Sequence, residues 1–179
     1  MPDRADGTTH REGVAPGEGP RRRPPERWLF GGTYGLVLAS AMISALDATG
    51  ETADPGSDAL WLLLTALASA VAHGYAHVIA HRASGHAGAG TTRRRAVLAE
   101  WPLVAGVLPT AALLLAALAG WWSEDTAVDV ALLSNTVALF GVGAWAARAA
   151  GRGKLSALRA GGMDMMIGFL IIAANALIH

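Results

Sequence analysis

The sequence predicts an all-α integral membrane protein with five transmembrane helices, and three observations support this fold class. Five apolar stretches are each close to the ~20 residues that a helix needs to cross a bilayer. Charged residues make up 16% of the 179 residues, well below the roughly 25% typical of soluble domains. The Lys and Arg residues are confined to alternate loops, as in multi-pass membrane proteins.

The first 27 residues do not fit a helix bundle. They are rich in Pro, Gly, Arg and acidic residues and contain almost no large apolar side chain, so they cannot bury enough surface to become ordered. We expect residues 1–27 to form a disordered cytoplasmic tail and residues 28–179 to form the five-helix transmembrane domain.

The apolar stretches define the expected helices as residues 28–46, 59–81, about 97–122, about 127–149 and about 161–178. The third contains Pro102 and Pro109 and is long enough to tilt or to kink at Pro109. Small residues, including Gly31 and Gly35, allow close packing between helices. Tryptophans lie near the segment ends, where aromatic rings prefer the membrane interface.

The basic residues determine the expected orientation. All 14 Lys and Arg lie in the tail, in residues 82–95 or in residues 148–159. The loops at 47–58 and 123–129 contain none and carry acidic residues instead. Because cytoplasmic loops carry an excess of Lys and Arg, the N-terminus is expected in the cytoplasm and the C-terminus outside. An odd number of spans places the two termini on opposite sides of the membrane, which agrees with this orientation. The Ala- and Gly-rich composition favours a bacterial plasma membrane.

The second apolar stretch carries three histidines, His73, His77 and His81, which recur every four residues. On a helix this spacing places the three rings in one stripe. Polar groups at such depth usually face a bundle interior or a water-filled cavity. The stripe is therefore interpreted as a metal site, as a proton relay or haem ligand set, or as rings at headgroup level without a specific role.

Two carboxylates are expected close to this stripe, because Glu100 and Asp164 lie near the cytoplasmic starts of the third and fifth helices. Imidazole and carboxylate groups suit Fe²⁺, Mn²⁺ and Zn²⁺, and a pair of histidines four residues apart can chelate one ion. We expect a divalent metal site built from His73, His77, His81, Glu100 and Asp164. The alternative is that both carboxylates are interfacial and pair with loop arginines.

Two amides, Asn135 and Asn175, are expected at mid-membrane depth, where they form hydrogen bonds between helices. Such hydrogen bonds stabilise helix packing and do not indicate a specific function.

Three segments resemble a known family of membrane proteins. ERWLFGGTYGLVLASAMISA at 26–45, AEWPLVAGVLPTAALLL at 99–115 and VALFGVGAWAARAAGRGKLSALRAGG at 137–162 are similar to the first, third and fourth-to-fifth helices of the vacuolar iron transporter family. The number of spans and their orientation also match that family. The resemblance implies Fe²⁺ or Mn²⁺ transport and a homodimer, because the family's ion path runs between two subunits.

The chain departs from this family at its metal site. Tyr34 stands where the family has an ion-binding Asp, and no Glu accompanies His73, Gly74 and Tyr75 where the family has Gly-Glu-Tyr. The family's long cytoplasmic metal-binding helices are reduced here to residues 82–96. The resemblance therefore implies that the chain is a divergent, shortened member of this family. Any metal site would be formed by residues other than the family's own ligands.

The sequence favours a transporter-like protein for divalent metal ions, with an accessory or structural membrane protein as the alternative. An enzyme is not expected: the chain has no Cys, and its six histidines are too few for a histidine-box metalloenzyme. The expected partners are the lipid bilayer and a second copy of the chain, with no nucleic acid. A polar cavity that touches His73, Glu100 and Asp164 would favour the transporter.

The charge distribution generates a topology prediction. Reporter fusions at Gly56 and Thr126 should read as periplasmic or extracellular, and a fusion at Gly90 as cytoplasmic, because basic residues are retained on the cytoplasmic side. The measurement is paired alkaline phosphatase and green fluorescent protein activity. A cytoplasmic reading at Gly56 would overturn the orientation.

Overall fold

The structure, a computed structural model, describes residues 26–47, 54–83 and 98–178. These residues form five long helices and no strand: α1 Glu26–Asp47, α2 Pro55–Ala83, α3 Trp101–Leu118, α4 Glu124–Ala149 and α5 Lys154–Ile178. Each helix is long and apolar enough to cross a bilayer, which confirms the predicted all-α class and fits a multi-pass membrane protein. The tail prediction lies outside the described residues, apart from Glu26 and Arg27, which belong to α1.

All five helices differ from the predicted ranges at one end or both, and the differences in α5 and α3 have a local cause. α5 begins at Lys154 and not at residue 161, because an apolar stretch with the buried Ala157 extends the helix into the basic segment. α3 is shorter than the predicted 97–122. Pro102 has no N–H to donate to residue 98, so the chain turns at Glu100 and α3 starts with this proline in its first turn.

Two glycines end helices in the same way. Gly120 and Gly151 both have a φ of +79°, a left-handed conformation that glycine adopts without steric cost. At the end of α3, Gly120 N–H donates to Ala117 O and Trp121 N–H donates to Ala116 O. At the end of α4, Gly151 and Arg152 form the equivalent pair of bonds. These bonds satisfy carbonyls that the helix end leaves free, and the chain can then reverse.

The helices alternate in direction, so the bundle has two chemically different ends. The "basic end" is where α1, α3 and α5 begin and where α2 and α4 end, and the "acidic end" is the opposite one. Arg27, Arg148, Arg152 and Lys154 lie at the basic end, and Asp47, Asp54, Asp58, Glu124 and Asp125 lie at the acidic end. The charge separation read from the sequence is therefore a separation in space.

α1 and α3 approach each other closely because glycine lies on both surfaces. A Cβ atom on Gly35 would collide with Leu103 O, and one on Gly31 would lie 3.0 Å from Leu103 N. A Cβ atom on Gly106 would lie 2.8 Å from Gly32 O. Such contact between backbones is the usual role of small residues in membrane helices.

A buried hydrogen-bond network connects three helices at the centre of the bundle. Asn135 Nδ2 of α4 donates to Ser40 Oγ of α1 at 3.1 Å and to Thr110 Oγ1 of α3 at 2.9 Å. Thr110 Oγ1 donates in turn to Asn135 Oδ1 at 3.2 Å, and Ser40 Oγ donates to Leu36 O at 2.9 Å. All three polar side chains are fully buried, so the interhelical role predicted for Asn135 is confirmed.

α5 is the least buried of the five helices and packs mainly against α4. Gly161 and Gly168 allow this contact, because a Cβ atom on either would collide with Phe140 or Thr136 of α4. Near the acidic end, Asn175 Nδ2 donates to Asp47 Oδ2 of α1 at 3.3 Å. The interhelical bond predicted for Asn175 is also confirmed, although the residue lies near the helix end and not at mid-depth.

Substitution of Gly35 by Ala should destabilise the bundle, because the new methyl group must push the Leu103 backbone away. We expect a loss of about 1–3 kcal/mol in the free energy of unfolding. The control is Gly32→Ala in the same helix, where a Cβ atom meets nothing within 4 Å. Thermal unfolding in detergent should separate the two variants, and equal midpoints would contradict the close α1–α3 contact.

Substitution of Asn135 by Ala should remove the central network and leave Thr110 without its interhelical partner. The expected cost is about 1–3 kcal/mol. Ser134→Ala is the matched control, because the Ser134 hydroxyl donates within its own helix, to Ala131 O. Its effect should stay within about 0.5 kcal/mol. If chemical unfolding shows the same loss for both, the network does not hold the helices together.

Candidate functional site

The half of the bundle nearest the basic end contains the ionisable side chains that the sequence singled out. Glu100 lies in the turn before α3, and its side chain makes no hydrogen bond to the helix N-terminus. It faces α2 instead, where Oε1 lies 3.7 Å from His77 Nε2. The Glu100 side chain is 10% exposed and the His77 side chain is 64% exposed. The structure thus brings together one predicted histidine and one predicted carboxylate, with the histidine accessible from outside.

His73 lies one turn deeper on α2 and has different neighbours. Its Nδ1 lies 2.9 Å from Ser69 O, the carbonyl one turn earlier, so Nδ1 carries the proton that is donated to this carbonyl. The ring packs edge-on against Tyr34 of α1, with centroids 4.9 Å apart, and lies 6.2 Å from Phe30. Only Nε2 of His73 is left to bind a ligand.

Asp164 lies apart from these histidines. It belongs to α5, which packs against α4 and α1, whereas α2 packs against α3 and α1. The carboxylate lies over Gly143 of α4, where any Cβ atom would collide with it. It lines a cavity of about 420 Å³ between α1, α4 and α5. Neither His73 nor Glu100 lines this cavity, so it is not the shared polar cavity that would have favoured a transporter most strongly.

The predicted metal site is therefore divided in the structure. Among the described residues, no group of three or more His, Asp or Glu side chains is arranged to hold a metal ion. The His81 side chain lies outside the described residues, so its contribution to the stripe stays a prediction. What the described geometry offers is a two-residue pair, His77 with Glu100, and a separate carboxylate, Asp164.

Two aromatic residues that sequence reasoning did not assign to the site connect its parts. Phe30 and Tyr34 stack on each other in α1, with centroids 6.3 Å apart and planes inclined by 21°. Both contact His73 on one side and line the Asp164 cavity on the other. Their spacing of four residues, which places both rings on one helix face, was a signal available in the sequence.

A second pair of ionisable groups lies at the acidic end. The side chains of Asp58 and Glu124, at the starts of α2 and α4, lie close enough to interact directly. Glu124 Oε2 is buried without a hydrogen-bond partner among the described residues. Two carboxyl groups can share a hydrogen bond only when one of them is protonated. The pair joins α2 to α4 and is remote from the histidines.

Comparison of the chain with known protein families, characterised proteins and solved structures finds no match. Membership in the vacuolar iron transporter family therefore stays a prediction that depends on the three resembling segments.

Proposed function

We propose that this chain is a transporter-like membrane protein for divalent metal ions and that His77 and Glu100 form the core of its ion-binding site. The observation that carries the proposal is the contact between these two side chains from neighbouring helices, at 3.7 Å. Imidazole nitrogen and carboxylate oxygen are a ligand combination that Mn²⁺, Fe²⁺ and Zn²⁺ accept.

The burial of Glu100 supports a cation as its partner. A buried carboxylate is costly unless it is paired, and among the described side chains its charge partner is the exposed His77. Two ligands that are each about 2.1 Å from a metal ion lie about 3.0–3.5 Å apart, so a small side-chain movement would admit an ion between them. His73 Nε2 and the His81 ring, four residues away on either side, are the candidate third ligands.

The position of the pair is consistent with a role in ion entry or exit. It lies at the basic end, which we propose faces the cytoplasm, so the N-terminus is inside and the C-terminus outside. A second copy of the chain would supply the ligands that one bundle lacks. A homodimer in the plasma membrane is therefore part of this proposal.

The alternative is an accessory or structural membrane protein that transports nothing. One observation favours it: the described residues hold no three-ligand group. In that case the His77–Glu100 pair is a salt bridge that joins α2 to the start of α3.

Metal binding to the purified full chain in detergent tests the proposal. Calorimetry with Mn²⁺, Fe²⁺ and Zn²⁺ should show binding to the wild type and at least tenfold weaker binding to His77→Ala and Glu100→Gln, by analogy with the loss of other metal-site residues. Binding should be weaker at about pH 5.5 than at about pH 7.5, because protons compete with the metal ion for the imidazole nitrogen.

Asp129→Asn is the control, because it removes an exposed carboxylate on α4 toward the acidic end. It should bind metal like the wild type. Uptake of Mn²⁺ into vesicles that contain the protein distinguishes a transporter from an accessory protein. Uptake by the wild type that is lost in Glu100→Gln would support transport. Equal affinities in all variants, or metal binding without uptake, would leave the accessory role.

A further inference from the structure

We propose that the cavity between α1, α4 and α5 is a binding site for a membrane-soluble organic cation, whose charge pairs with Asp164. The inference is independent of the metal site at His77 and Glu100, because neither of those residues lines the cavity. It depends on the chemistry of the lining, on the carboxylate and on the aromatic pair of α1.

The lining of the cavity is apolar apart from a few groups. Leu29 and Val37 of α1 and Val142 and Ala146 of α4 form much of its wall. The volume of about 420 Å³ falls within the range of about 300–1,000 Å³ that is usual for small-molecule sites. Phe30 and Tyr34 are exposed at its edge, so a molecule dissolved in the bilayer can enter from the side.

Asp164 supplies one negative charge to this apolar space. The residue lies about 15 Å along α5 from its start, at 1.5 Å per residue, which is deeper than the basic residues at that end of the bundle. No hydrogen bond or ion pair to Asp164 is found among the described side chains. Carboxylates within membrane helices pair with a counter-charge. None of the described side chains supplies one to Asp164, so a cationic ligand can take this place.

The same lining argues against a metal ion at this position. Mn²⁺ and Zn²⁺ need four or more donor atoms, whereas the cavity offers one carboxylate with the hydroxyl groups of Thr33 and Tyr34. An organic cation needs only one counter-charge and covers the apolar wall with its own apolar body. Phe30 and Tyr34 also line the cavity, and aromatic rings attract cations.

The Asp164 carboxylate lies within the contact between α4 and α5. Gly143 gives the Asp164 side chain the space that any larger residue would take. The charge is therefore held against α4, at the wall of the same cavity that Tyr34 lines.

Equilibrium binding of tetraphenylphosphonium to the purified full chain in detergent tests the inference. The wild type should bind this cation and should not bind tetraphenylborate, an anion of the same shape. Asp164→Asn keeps the size of the side chain and removes its charge, so binding should weaken at least tenfold. Asp129→Asn, the matched carboxylate variant outside the cavity, should bind like the wild type.

A second variant keeps the test decisive if Asp164→Asn does not fold. Ala146→Phe fills the cavity from α4 and leaves the carboxylate in place, and it should also reduce tetraphenylphosphonium binding at least tenfold. The inference is overturned if the folded wild type binds no cation, if both variants bind it like the wild type, or if the anion binds as well as the cation. It is also overturned if cross-linking shows that a second copy of the chain occupies the cavity.

Discussion

The rest of the bundle depends on the close contact between α1 and α3. The hydrogen bonds of Asn135 connect these two helices to α4. In a bilayer the lipid tails are as apolar as leucine, so apolar area alone gives helices little reason to associate. Packing between backbones and buried hydrogen bonds must provide the attraction. Gly35 and Gly106 provide the first, and Asn135 provides the second through Ser40 and Thr110.

The position of α1 follows from this contact and explains how the site is arranged. Because α1 packs against all four other helices, its side chains can contact α2 on one side and line a cavity with α4 and α5 on the other. Tyr34 does both: its ring lies against His73, and it forms part of the Asp164 cavity wall. His73 and the α5 carboxylate are therefore neighbours of one aromatic pair and not of each other.

The two acidic residues in this half of the bundle have different surroundings, and this difference separates the two proposals. Glu100 has an imidazole within 3.7 Å and lies in a turn at the helix start, where a nitrogen–oxygen ligand set can form. Asp164 is surrounded by apolar side chains and two aromatic rings, where few further donor atoms are available. Coordination suits the first position, and a single ion pair with an apolar cation suits the second.

The sequence alone determined the five helices that are long and apolar enough to span a membrane, the separation of basic and acidic ends and the interhelical bonds of Asn135 and Asn175. These depend on composition, segment length and the cost of an unpaired amide, all of which are local properties. Only the tertiary structure decided which ionisable groups meet. The sequence placed His77, Glu100 and Asp164 at a similar depth, but depth does not determine which neighbour a helix face contacts. Glycine positions permit the close α1–α3 and α4–α5 contacts. In the folded bundle Glu100 meets His77, while Asp164 lies over Gly143 of α4.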